Sequence, residues 1–230
     1  MKSTKRIGRI IGLLLALQLP LGLILPFVLI QGPLSIVPPG FLVNAAADSS
    51  RIHLAVLIAF VGGALTVSIA ITAYQVIRRN SQTMALWFLV LCVTSLAMDA
   101  IHNTAVMSML SISERFAEAG SADAGLFQAL GETVRSTRYW AHYTQLVFIG
   151  GWIFMFYVIM LRFGLIPRLL ATLGLIGILL QFIGVTLPAL LDYPSMPWLA
   201  YPLAPIHLTA AIWLTAKGFD EQHRLPDADA

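Results

Sequence analysis

The sequence predicts an all-α protein, a polytopic membrane bundle of about six transmembrane helices that forms a single integral membrane domain over residues 1–230. Of the 230 residues, 58% are hydrophobic and only 11% are charged, whereas soluble domains carry about 25% charged residues. The mean hydropathy is +0.83. The apolar residues also gather in runs of about 20, the length that crosses a bilayer as a helix.

The first span is predicted over residues 7–30, directly after a basic N-terminus. This apolar run is longer than the ~7–15 apolar residues of a signal peptide, so we expect a retained membrane helix. Pro20 and Pro26 lie inside it and predict a kink, because proline removes a backbone donor. Residues 31–52 then predict an outer loop, partly re-entrant, because helix breakers cluster there.

Spans two and three are predicted over residues 54–77 and 84–108, and the short link at Arg78-Arg79-Asn80 predicts an antiparallel pair. The polar segment 111–138 predicts one or two short helices lying at the outer interface. Ser111 and Glu114 have the spacing of a capping box at its start. Spans four, five and six are predicted over residues 139–161, 169–190 and 198–217.

Basic residues predict the orientation of these spans. With the N-terminus inside, the cytoplasmic segments hold ten Lys and Arg residues and the outer segments hold four, namely Arg51, Arg115, Arg135 and Arg138. The positive-inside rule then places both termini in the cytoplasm, and the predicted location is the cell inner (plasma) membrane. Because the basic residues flank apolar runs, no nucleic-acid partner is expected; the predicted partners are the lipid bilayer and a small hydrophobic or cationic ligand, and a homo-oligomer is compatible with the sequence.

Asp99 is the one acidic residue well inside a predicted span, where an ionised group costs about 2.5–3.5 kcal/mol on insertion scales. Ser95, Asp99, His102 and Asn103 follow helical spacing and so share one face of span three. Helical rise places Asp99 and His207 at a similar depth, about 13 Å below the outer surface, and His142 about 5 Å below it. The sequence therefore predicts that Asp99, His102, His142 and His207 converge in the outer half of the bundle.

Several chemistries are compatible with such a cluster. An outward-facing polar pocket would bind or relay a small cation or a proton, whereas a structural role would be a hydrogen-bonded pair that joins helices. Three histidines and a carboxylate also suit zinc by type, and His102 with His207 would suit haem, but no metal-binding spacing is present and no metal ligands are predicted. The cofactor stays open, as does the question of enzyme activity.

Three segments of the chain resemble a bacterial membrane family, domain of unknown function 4386. They are Lys5–Leu14, His142–Gly177 and Trp213–Phe219, and the most specific part is the link in which Gly164 precedes Pro167 and Arg168. The resemblance implies a six-span membrane protein without an established activity. It also implies that many relatives have an acidic residue at the position of His207. Because this chain has a histidine there, any role that the family gives to an acid at that position is in doubt for this chain.

Three functions are therefore open. The first is a protein that binds or transports a small molecule or a proton through an outer-side pocket around Asp99 and His102. The second is an intramembrane enzyme that acts on a lipid or terpenoid, with Asp99 as general acid in an aromatic cavity lined by Trp152 and Tyr157. The third is a structural or accessory membrane subunit.

Overall fold

The fold is known from a computed structural model, which describes residues 4–24, 29, 40–119 and 123–220. These residues contain no β-strand, which confirms the all-α class. The helices are α1 (Thr4–Ile24), α2 (Gly40–Ala47), α3 (Ser49–Asn80), α4 (Gln82–Ala119), α5 (Ala124–Arg162), α6 (Arg168–Gln181), α7 (Leu187–Leu191) and α8 (Leu203–Lys217). A π-helical turn, Phe182–Thr186, joins α6 to α7, and a 3-10 turn, Pro197–Ala200, precedes α8.

Five helical segments in the described part of the chain are long and apolar enough to cross a membrane. They are Ser49–Asn80, Gln82–Ala119, Ala124–Arg162, Arg168–Leu191 and Pro197–Lys217, and they contain predicted spans two to six almost entirely. Only 22% to 33% of each apolar stretch is buried within the protein. The remaining apolar surface requires an apolar surrounding, so the chain is a multi-pass membrane protein. The structure describes the helix of the first predicted span as far as Ile24. Pro26 lies outside the described residues.

Two predicted non-spanning segments differ from the structure. Within predicted loop 31–52, the described residues from Gly40 onward are helical except for a turn at Asp48. The stretch after Gly40 has no further breaker and buries Phe41, Leu42 and Ala45. Segment 111–138 does not form separate short helices in its described part. Its residues extend α4 to Ala119 and begin α5 at Ala124, since they are polar but compatible with a helix.

Of the two residues expected to form a capping box, Ser111 and Glu114, only Glu114 contacts a neighbouring helix in the described part of the chain. Ser111 lies within α4. The next polar residues, Ser113 and Glu114, point to the α2–α3 junction: Ser113 donates a hydrogen bond to the Leu42 carbonyl at 2.7 Å and accepts one from the Ala46 amide at 2.8 Å. Glu114 accepts a hydrogen bond from the Ser49 hydroxyl at 3.1 Å, at the first residue of α3.

The described chain separates into two compact units. The first unit comprises Met1–Leu19, Leu65–Ser95 and Leu146–Ala230, and the second comprises Pro20–Ala64 and Leu96–Gln145. The second unit has its own core, whose largest members are Phe41, Leu42, Ile52, Met109 and Leu110. The prediction of a single integral membrane domain over residues 1–230 stays a prediction.

In the first unit, the link after α5 is a Schellman motif. Gly164 has a φ of 60°, the Leu165 amide donates to the Met160 carbonyl at 3.0 Å, and the Gly164 amide donates to the Leu161 carbonyl at 3.4 Å. A positive φ suits glycine and ends the helix. Pro167 then precedes the first residue of α6, where its fixed φ is compatible with a helix start.

Pro188 changes the hydrogen bonding of the π-helical turn, Phe182–Thr186. Proline has no amide hydrogen, so the carbonyl of Gly184, four residues earlier, has no helical donor. The Met196 amide supplies that donor at 2.8 Å. The segment before α8 thus supplies the hydrogen bond that Pro188 cannot donate.

Candidate functional site

Polar side chains from α4 and α5 come together in the second unit. The face of α4 predicted from spacing supplies three of them, and α5 supplies three more at helical spacing i, i+4 and i+7. We call this group the polar cluster. Asp99, His102, Arg138, His142 and Gln145 interact across the two helices, and Asn103 follows His102 on the same face of α4. His102 and Asn103 are only 6% and 3% exposed.

Asp99 is held by one neighbouring amide. The side-chain nitrogen of Gln145 donates a hydrogen bond to Oδ1 of Asp99 and so joins α5 to α4. On the other side of Asp99 lies Gly63 of α3, where a Cβ would be 3.1 Å from Oδ2. Glycine therefore permits α3 to pass close to the carboxylate.

The two histidines of the cluster face each other. The rings of His102 and His142 have their centroids 5.3 Å apart and are inclined by 47°. Arg138 lies one helical turn before His142 and interacts electrostatically with both rings. The structure therefore places His102 and His142 next to each other, with the positive charge of Arg138 beside them.

The cluster contains every buried side-chain atom without a hydrogen-bond partner found among the described residues. These atoms are Nε2 of His102, Nδ2 of Asn103, Nε of Arg138, Nδ1 of His142 and Oε1 of Gln145. Buried polar groups are nearly always paired in folded proteins. Their concentration in one place distinguishes the cluster from the rest of the described chain.

His207 belongs to the first unit and has a different environment. Its Nδ1 lies 2.9 Å from the hydroxyl of Tyr157, and the rings of Trp152 and Phe156 each lie 6.2 Å from its ring. The contacts of His207 described here are thus aromatic and come from α5. Ser95 is buried and also belongs to the first unit. Convergence of His207 and Ser95 with the polar cluster stays a prediction.

Among the residues that the structure describes, no group of three or more His, Cys, Asp or Glu side chains is arranged so that it could hold a metal ion. The first unit has an apolar groove of about 240 Å³, lined by α5 and α6 residues that include Gly150, Gly151 and Phe182. Neither Trp152 nor Tyr157 lines this groove. They pack against His207 instead, and Tyr157 is fully buried.

Sequence reasoning missed Arg138 and Gln145. Arg138 was assigned to the outer interfacial segment, and Gln145 was not singled out because an amide carries no charge. Their signal was nevertheless present, since Arg138, His142 and Gln145 recur at i, i+4 and i+7. The same spacing rule that identified the polar face of α4 identifies this second face.

Comparison with curated proteins and with solved structures finds no match. A family model, described as domain of unknown function (DUF4386), matches residues 10–218 and so covers most of the chain. That range includes both α4 and α5. The chain therefore belongs to the DUF4386 family.

Proposed function

We propose that this membrane protein binds a small polar molecule in the polar cluster, between α4 and α5 of the second unit. The buried polar atoms of the cluster that lack a well-formed hydrogen bond carry the proposal. Each such group costs about 1–3 kcal/mol if it stays without a partner. Because the side chains of His142 and Gln145 also interact with each other, the atoms without any partner are the three on His102, Asn103 and Arg138. Together they would cost about 3–9 kcal/mol, a large part of the net stability of a typical domain. A bound molecule with both donors and acceptors would remove that cost.

Ordered water is the competing occupant, because buried water commonly satisfies such groups. A purely structural cluster is the other alternative, and it makes an opposite prediction for Asn103. If nothing binds, replacing Asn103 by leucine removes an unpaired buried amide and stabilises the protein. If a ligand binds, the same substitution removes one of its contacts.

The positive-inside bias supports a cluster that opens to the outer face of an inner membrane. Ten basic residues lie on the predicted cytoplasmic side and four on the outer side. In that orientation the second half of α4 and the first half of α5 lie toward the outside. Transport of the ligand, or of a proton between His102 and His142, is compatible with this location.

The experiment compares wild type with Asn103→Leu and Thr104→Val by native mass spectrometry of the purified full chain. Thr104 is an exposed neighbour whose hydroxyl donates to its own helix at 2.9 Å, so Thr104→Val is a matched control. We expect a bound mass on wild type and Thr104→Val that is lost from Asn103→Leu. No bound mass on wild type, or equal occupancy in Asn103→Leu, would contradict the proposal.

A further inference from the structure

We infer that the ligand of the polar cluster carries a phosphate group and that Arg138 is its principal contact. This inference rests on the proposed function and names the class of ligand. It differs from the hydrophobic or cationic ligand predicted from the sequence. The difference comes from Arg138, which α5 places beside His102 and His142.

The unpaired atoms favour an acceptor-rich ligand. The Nε atom of Arg138 and the Nδ2 atom of Asn103 can only donate hydrogen bonds. Nε2 of His102 and Nδ1 of His142 can donate in the appropriate tautomer. Only Oε1 of Gln145 must accept. A phosphate group offers several acceptors at one centre and so matches four of the five atoms.

The charges favour an anion as well. Arg138 has no carboxylate within ion-pairing distance among the described residues, where the one ion pair joins Arg135 and Glu132 at 2.6 Å. Asp99 is bound to Gln145, which lies seven positions from Arg138 on α5, or about 10 Å along the helix axis. A positive charge without a carboxylate partner repels cations and attracts an anion.

Aromatic residues next to Arg138 indicate the depth at which it lies. Tyr139 and Trp140 follow it directly and are 40% and 50% exposed. Exposed Tyr and Trp at one level of a membrane helix mark the interface with water, where lipid headgroups are found. The phosphate could therefore belong to a lipid headgroup or to a free solute, and both present the same chemistry to Arg138.

The test uses the purified full chain in a phosphate-free maltoside detergent. One arm adds phosphatidylglycerol or diacylglycerol, two lipids that differ by the phosphate-containing headgroup, and counts retained lipid by native mass spectrometry. The other arm adds sodium phosphate or sodium chloride at equal ionic strength and measures the thermal unfolding midpoint. Arg138→Gln is compared with Arg135→Gln, which removes the same charge three residues away.

We expect Arg138→Gln to weaken phosphate-dependent binding about tenfold, as for the loss of a charge-assisted hydrogen bond. Arg135→Gln should stay within about twofold of wild type, because its charge is exposed and already paired. Selective retention of phosphatidylglycerol identifies a headgroup, and stabilisation by inorganic phosphate identifies a free oxyanion. Both results support the inference.

Equal loss in the two arginine variants would overturn the inference, because it would show a general effect of charge. A second result on wild type alone would also overturn it: equal retention of phosphatidylglycerol and diacylglycerol, together with no effect of inorganic phosphate on the unfolding midpoint. A bound mass that depends on Asn103 but contains no phosphate would overturn the ligand class and leave the proposed function intact.

Discussion

The side-chain amide of Gln145 donates a hydrogen bond to the carboxylate of Asp99 and joins α5 to α4 within the second unit. An acidic residue inside a membrane helix is costly. A neutral amide supplies a donor without adding a second charge. This contact therefore stabilises Asp99. Arg138, which lies on the same polar face of α5 as Gln145, has no carboxylate partner among the described residues.

Gln145→Leu is expected to lower the free energy of unfolding by about 1–3 kcal/mol, because it leaves a half-buried carboxylate without its donor. Cys92, which is the single cysteine and is buried, reports unfolding through its reaction with a thiol-specific dye on heating. Gln128→Leu is the matched control, since Gln128 is exposed on the same helix. The double variant Asp99→Leu with Gln145→Leu should recover most of the loss. Equal midpoints for the two glutamine variants would show that the bond contributes nothing.

Tyr157→Phe is expected to destabilise the first unit by about 1–3 kcal/mol, because it removes the buried partner of Nδ1 of His207. Tyr193→Phe provides the comparison. Its hydroxyl donates to the Ile183 carbonyl at 2.7 Å at an exposed position, so its loss should cost less than about 1 kcal/mol. The same dye-based thermal measurement ranks the two variants, and a larger loss in Tyr193→Phe would contradict this account.

Gly174→Ala is expected to cost about 1–3 kcal/mol, because a Cβ at this position would overlap the fully buried ring of Tyr157. Gly62→Ala lies in α3 with no atom within 4 Å of the added carbon. That control should raise stability by about 0.5–1 kcal/mol, since alanine is the better helix former. Tolerance of alanine at both sites would mean that α6 does not pack closely on Tyr157.

Helical periodicity and hydropathy were sufficient to predict the fold class and spans two to six, because a membrane helix needs a long apolar run whatever its neighbours are. They also identified the polar face of α4 from Asp99, His102 and Asn103. They did not predict the extension of α4 and α5 through segment 111–138, because its polar residues are compatible with both a helix and a loop. Packing against the second-unit core decides the outcome: at Gly131, for example, a Cβ would lie 3.1 Å from the ring of Phe41.

Helical rise alone does not define which side chains a residue contacts. Rise per residue gives the height of a side chain along its helix but not the direction in which it points. His207 points at Tyr157 and Trp152, whereas His142 points at His102. Charge is also an incomplete guide, since the uncharged Gln145 is the side chain that binds Asp99.

Membrane orientation is tested by cysteine labelling at two exposed positions, one at the end of α3 and one near the end of α4. If the positive-inside bias sets the topology, Glu118→Cys lies outside and Asn80→Cys, beside Arg78 and Arg79, lies in the cytoplasm. A membrane-impermeant maleimide added to intact spheroplasts should label Glu118→Cys, and it should label Asn80→Cys only after permeabilisation. Wild type is the control for background, because buried Cys92 should remain unlabelled in both conditions. The reverse pattern would invert the bundle and place the phosphate site of Arg138 on the cytoplasmic face.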